Sequence, residues 1–339
     1  MKPVQMQSAE VQPGLVLARD VRGGGKVLFA KGRLLSETDA AQLRAQAPAE
    51  LHLLQLEPGD LHEDPAGRRL AAAAAGEGTQ VLAPSGGTFG LAARHRGIVE
   101  VEVARLLQLN ELDDLIVTTL PHEQIAVEDE VVARAKVIPF VTSEAGVRRA
   151  EELARPGLVR VRPFVPLRVA AVVEERLETG VLERFRRDLQ EKLTFFGSTL
   201  LPISPSGGSA DALAQALRAA LGAGAQLVLV AAGRAMDPLD PALQALALAG
   251  GRLLKQGVPA HPGALLWLGA LGEVAVIGVP SCGVASKATA LDLLLPRLCT
   301  GEPPSRSRLA ALGAGGMLTR ESSFRLPPYR RQSPRGELD

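Results

Sequence analysis

Two loops of this 339-residue chain concentrate groups able to hold an anion. The first follows the apolar run Leu227-Val228-Leu229-Val230 and reads Ala231-Ala232-Gly233-Arg234-Ala235-Met236-Asp237-Pro238-Leu239-Asp240-Pro241. Gly233 lets backbone approach a ligand closely, Arg234 can pair bidentately with a phosphate, and Asp237 or Asp240 can hold a magnesium ion or a ligand nitrogen. Asp240 directly before Pro241 also has the pattern of a helix N-cap with proline at the first helical position, which is a structural role. Asp237 is therefore the better candidate for contact or catalysis.

The second loop follows Val274 to Val279 and reads Pro280-Ser281-Cys282-Gly283-Val284-Ala285-Ser286-Lys287. Small residues here expose backbone amides, and Pro280, Ser281, Gly283, Ser286 and Lys287 form a candidate phosphate cradle. Ser286 serves equally well as a helix cap and Lys287 as a solvated first-turn residue. Cys282 has no histidine near it in sequence and reads as a small buried residue. A third segment, Gly257-Val258-Pro259-Ala260-His261-Pro262-Gly263, is a stiff turn in which Pro262 and Gly263 could floor a pocket. His261 is a lone loop histidine with no further signal.

The elements around these loops set their geometry. After Pro166, strands at 167–173, 199–203, 226–230 and 274–279 alternate with helices at about 181–195, 210–221, 241–248 and 286–298. That alternation predicts a parallel sheet covered on both faces, with ligands outside the carboxyl ends of its strands. The strands are continuously apolar, as two-sided burial requires. Gly222-Ala223-Gly224 follows a helix and precedes a strand, the reverse of a dinucleotide fingerprint. The first half reads as β-rich, with period-two runs at Ile98 to Val103 and Leu158 to Arg162. One amphipathic helix is expected near Ser36 to Ala45, with Ser36 and Asp39 as its capping pair. The Arg-, Pro- and Ser-rich tail has too few apolar residues to offset ordering and is expected to be flexible.

Composition narrows the function classes. A formal charge of +1 gives no field that would draw the molecule to nucleic acid or to an anionic membrane. Two cysteines and five histidines supply neither a disulfide framework nor a structural zinc spacing. Such usage fits a cytoplasmic protein. Met1 to Gly14 lacks a basic region followed by an apolar run, and the stretch Pro262 to Pro280 is broken by glycines and Glu273 into a pair of buried strands, so neither export nor a membrane span is expected.

In their order, Gly233 to Asp240, Pro259-x-x-Pro262-Gly263 and Gly278-Val279-Pro280-Ser281 before a helix resemble the molybdopterin-binding domain family of molybdenum cofactor biosynthesis. Leu56-Glu57-Pro58-Gly59-Asp60, Thr119-Leu120-Pro121, Val137-Ile138-Pro139-Phe140 and Leu312-Gly313-Ala314-Gly315-Gly316 extend the resemblance to roughly residues 10–318. They are similar to the branch of molybdopterin-binding proteins that stand alone or are fused to a cytidylyltransferase-like domain. The resemblance implies a three-layer α/β/α, mostly parallel sheet over residues 164–318; the β-rich region read over 1–163, as one or two subdomains, precedes it, and the flexible tail read over 319–339 follows. It implies molybdopterin or molybdenum cofactor as ligand, with the phosphate end on the Pro280 to Lys287 loop. Gly233, Arg234 and Asp237 would form the other wall.

The chain departs from the family pattern in ways that bear on function. Ala231, Ala232 and Ala235 stand where family loops carry hydroxyls or a second glycine, and Ser281 replaces the glycine usual after the proline. His261 stands near a position expected to be acidic. No glycine-rich nucleotidyltransferase loop is present in the sequence. The expected function is accordingly a homo-oligomeric binding protein that presents the pterin to a cytidylyltransferase or molybdoenzyme partner. The alternatives are a molybdenum-insertion or adenylyl-transfer enzyme in which Asp237 is catalytic through magnesium, and a degenerate protein-interaction scaffold.

Overall fold

The computed structural model describes residues 1–46, 49–174, 178–232, 237, 239–280 and 288–329. The chain divides into two compact units at Arg162/Pro163.

The first unit contains strands β1 (Lys2–Gln7), β2 (Leu15–Leu17), β3 (Val21–Gly23) and β4 (Lys26–Phe29), helix α1 (Glu37–Arg44), strands β5 (Glu50–Gln55) and β6 (Asp60–His62), and helix α2 (Glu63–Ala74). Strands β7 (Thr79–Val81), β8 (Thr88–Ala93) and β9 (Gly97–Val101) and helix α3 (Val103–Asn110) follow. The unit ends with β10 (Leu115–Thr119), β11 (Ile125–Ala126), β12 (Val131–Val137), β13 (Val141–Ser143), helix α4 (Glu144–Ala154) and β14 (Val159–Pro163). Several small sheets result, the largest in the order β10-β12-β8-β7.

Helix α1 starts where the capping pair predicts: Asp39 N–H donates to Ser36 Oγ and Ser36 N–H to the Asp39 carboxylate, both at 3.1 Å. The unit is strand-rich, but α2 and α4 lie inside segments that period-two reading left without helices. Their buried stripes, Ala66-Leu70-Ala71-Ala74 and Val147-Ala150-Ala154, join Phe89, Leu91, Ala135 and Val159 in one core. Alanine and glycine write these stripes in small residues: a Cβ at Gly67 would strike the Phe89 ring. The run Ile98 to Val103 is also shorter than its alternation suggests. The strand ends at Val101, and Val103 opens α3.

The second unit holds one mixed sheet. Its strands are β15 (Arg168–Val173), β16 (Thr199–Leu200), β17 (Ser204–Pro205), β18 (Leu227–Ala232), β19 (Arg252–Gln256), β20 (Trp267–Leu271) and β21 (Val274–Pro280). Its helices are α5 (Thr179–Phe195), α6 (Ala210–Gly222), α7 (Pro241–Leu248), α8 (Ala290–Leu298) and α9 (Arg306–Ala311). The order is β16-β15-β18-β21-β20-β19, with β17 also paired to β15. Pairings among β15 to β18 and β21 are parallel, whereas β20 alone is reversed and pairs antiparallel with both β21 and β19. The sheet is therefore mixed: its pairings are parallel from β16 and β17 through β15 and β18 to β21, and the β20 hairpin supplies the antiparallel ones. The reason is local: Leu271 pairs with Val274 across a tight turn at Gly272, φ +57°, leaving no room for a crossover helix.

Alternate residues of β18 face different helices. Val228 and Val230 join the α6 and α7 core with Leu213, Leu217, Ala245 and Leu246. Leu229 and Ala231 instead line a small cavity with Phe185 and Leu189 of α5 and Leu291 of α8. Among the described residues no helix is long and apolar enough to cross a membrane.

Residues 319–329, read from sequence as the start of a flexible tail, include a 3-10 turn at Glu321–Arg325. Tyr329 then packs edge-on against Phe195 at 5.6 Å and Phe196 at 6.2 Å. Residues 330–339 lie outside the described part.

Candidate functional site

The strands that precede the two candidate loops end side by side. Parallel pairing of β18 with β21 sets Ala231 opposite Val279 and Ala232 opposite Pro280. Ala232 and Pro280 are thus paired strand ends, at the carboxyl edge where an open α/β sheet binds ligands. Gly233, Arg234, Ser281, Gly283, Ser286 and Lys287 themselves lie outside the described residues, as does Cys282.

The Pro262-Gly263 turn is brought to the start of α8. Ala290 N–H donates to Pro262 O at 2.9 Å, and a Cβ on Gly263, φ +114°, would sit 2.6 Å from Ala290 N. Only glycine permits that approach. The same turn is bracketed by the glycine-rich segment 313–316: His261 N–H donates to Gly316 O and Leu318 N–H to His261 O, both at 2.8 Å. A side chain at Gly316 would collide with Pro259 O. His261 thus holds its place through its backbone.

Helix α8 begins at Ala290, four residues later than the sequence reading from Ser286. Its cap is Thr289 in a capping box with Asp292: the Thr289 N–H donates to Asp292 Oδ2 at 2.8 Å.

The two aspartates of the first loop differ sharply. Asp237 is exposed, and its Oδ1 accepts from Leu239 N–H at 2.9 Å. Asp240 is wholly buried. Its Oδ1 accepts from Ala242 N–H at 2.7 Å, so it is the N-cap of α7, with Pro241 in the first helical turn. Its Oδ2, however, is buried with no partner. A cap alone uses one oxygen; the other carries an unmet desolvation cost.

Sequence reasoning missed three side chains at this edge. Trp267 is fully buried, and its Nε1–H has no partner. Its indole lies over Gly278, where any Cβ would overlap the ring. Glu174, the residue after β15, is 5% exposed, and its N–H donates to Ala231 O at 3.0 Å. A carboxylate ending the apolar run Val169-Ala170-Ala171-Val172-Val173 was the available signal for it. Lys192 of α5 shares the cavity of about 10 Å³ beneath Ala231, Val279 and Leu291, enough for one water. Its position on a helix face gave no such signal.

No family model matches this chain, and no curated protein matches it. Among solved structures, the molybdopterin biosynthesis moea protein from Pyrococcus horikosii aligns with a TM-score of 0.30 and 11% sequence identity, covering 71% of this chain and 74% of that chain. A likeness at that score carries no argument about fold or function.

Proposed function

We propose that this chain binds molybdopterin or its metallated form at the carboxyl edge of the mixed sheet and presents it to a nucleotidyltransferase or molybdoenzyme partner. The observation that supports the reading best is the convergence of the motif-bearing segments. Ala232 and Pro280 are paired strand ends, and Pro262 O accepts from the first N–H of α8. Three segments far apart in sequence therefore meet at one strand edge and one helix start, and the carboxyl edge of such a sheet is where ligands bind.

The wholly buried Asp240 Oδ2 and Trp267 Nε1–H add an acceptor and a donor lacking partners in the same unit. A pterin ring carries both complements, N–H donors and a carbonyl acceptor. Magnesium, where a nucleotide or phosphate accompanies the pterin, fits the exposed carboxylate of Asp237: this ion takes one or two carboxylates and fills its octahedron with water and phosphate oxygens. Among the described residues no cluster of three or more His, Cys, Asp or Glu is present.

Calorimetry of the full chain with molybdopterin, with and without magnesium and a nucleoside triphosphate, tests the carrier reading. Saturable binding with no conversion of nucleotide or pterin is expected. Turnover would move Asp237 into a catalytic role, and absence of binding would overturn the reading.

A further inference from the structure

Two turns of the first unit close on a single carboxyl group. Glu63, the first residue of α2, is 6% exposed, and its Oε2 is buried without a partner. On one side stands Gly32, φ +81°; on the other stands Gly87, φ +71°, in the Ser85-Gly86-Gly87-Thr88 turn between β7 and β8. A Cβ on either glycine would overlap the carboxyl oxygens. Both positions combine a left-handed backbone with a contact that only glycine allows. The turns are well held otherwise: Ser85 and Thr88 exchange backbone bonds at 2.9 and 3.0 Å, and Glu63 N–H donates to Phe140 O at 2.7 Å.

The charged groups near this carboxyl come from three elements, β6, α2 and β12. His62 and Asp64 flank it in sequence, and Lys136 reaches toward it from β12. His62 Nδ1 accepts from Asp64 N–H at 3.3 Å, which leaves the ring proton on Nε2, 2.7 Å from Gly32 O. Lys136 Nζ makes only long contacts, 3.4 Å to Gly86 O and 3.5 Å to Thr88 Oγ1. On the Gly32 side, Arg33 is committed to Asp39 at 2.8 Å. Burial raises the proton affinity of Glu63; His62 and Lys136 oppose that, and Asp64 adds to it.

We propose that Glu63 is a proton-operated clamp: the neutral carboxyl lets the Gly32 and Gly87 turns close on it, and its ionisation parts them and frees it to pair with Lys136. Ionisation makes an unpartnered, buried Oε2 between two glycine backbones costly, because taking that charge from water is not offset by any hydrogen bond there. Closure is therefore complete below the ordinary carboxylate range. It weakens as pH rises through the elevated folded value.

Amide hydrogen exchange at Gly32 and Gly87 in the full chain reads the clamp directly. With intrinsic exchange rates divided out, protection in the wild type is expected to fall about tenfold or more as pH rises above the ordinary carboxylate range, while Glu63→Gln stays flat. A flat wild-type profile, or an equal fall in Glu63→Gln, overturns the proposal. Should Glu63→Gln fail to fold, Lys136→Met serves. Loss of the cation that favours the ionised form moves the fall to higher pH, and an unmoved curve contradicts the clamp.

Discussion

Lys192 Nζ lies 2.6 Å from Asp292 Oδ1, and both side chains are withdrawn from solvent. Asp292 also accepts from Tyr329 Oη at 2.6 Å and from the Thr289 N–H at 2.8 Å, so one carboxylate joins α5, the start of α8 and the segment after Pro327. Removing the cation alone leaves a buried charge facing only uncharged donors. Lys192→Met is expected to cost about 3–5 kcal/mol, and adding Asp292→Leu should recover part of that. Equilibrium unfolding of the single and double variants checks both; equal losses in the two would contradict the assignment.

Tyr329 is the only tyrosine of the chain, so its phenol can be followed by absorbance without substitution. Burial, then the neighbouring Asp292 carboxylate, pushes its pKa well above the ordinary value. Because the folded value is raised, the associated stability is present below about pH 10 and is lost as pH climbs beyond it. An alkaline titration should show tyrosinate appearing together with unfolding. Tyrosinate that forms reversibly in the folded protein near pH 10 would show that the residue is not held as described.

Gly278→Ala should be among the most damaging single-methyl additions in the second unit. Its Cβ would overlap the Trp267 indole, which is fully buried on the paired strand. Overpacking of this kind costs about 1–3 kcal/mol or more. Trp267 is the only tryptophan, so a red-shifted emission and a lower denaturation midpoint report the displacement together. Unchanged emission and midpoint would refute the close stacking.

Arg69 ties α2 to α4 by bonds to Glu151 at 2.8 Å and to Glu144 at 2.9 Å. Arg69 holds both carboxyl groups below their ordinary range. Their contribution is therefore complete above the usual carboxylate pKa and lost as pH falls through the lowered values. Arg69→Leu should flatten the acid limb of a melting-temperature profile, modestly, since these side chains keep partial contact with water. A profile identical to wild type below pH 4 would remove the staple from the account.

Much of this was legible before the structure. Ser36 and Asp39 announce α1, Asp240-Pro241 announces α7, and continuous apolar runs announce β15, β18 and β21, because caps and two-sided burial write themselves in local residue types. Helices α2 and α4 escaped because their buried stripes are built largely of alanine, which period analysis weighs poorly. The antiparallel placement of β20 was also hidden, since a buried apolar run reads the same in either direction. Asp240 was legible only by half: its cap follows from sequence, whereas the unpartnered Oδ2 depends on how α7 meets the sheet. The buried state of Glu63 and Trp267 depends on contacts with Gly87 and Gly278, distant in sequence or set by pairing.

The central claim rests most directly on one comparison: molybdopterin binding to the wild type and to Asp237→Ala, with Trp267 emission confirming the fold of both. The account predicts saturable binding to the wild type and at least about tenfold weaker binding to the variant, the equivalent of roughly 1.4 kcal/mol. Equal affinity in the two proteins, or no binding to either, would contradict it.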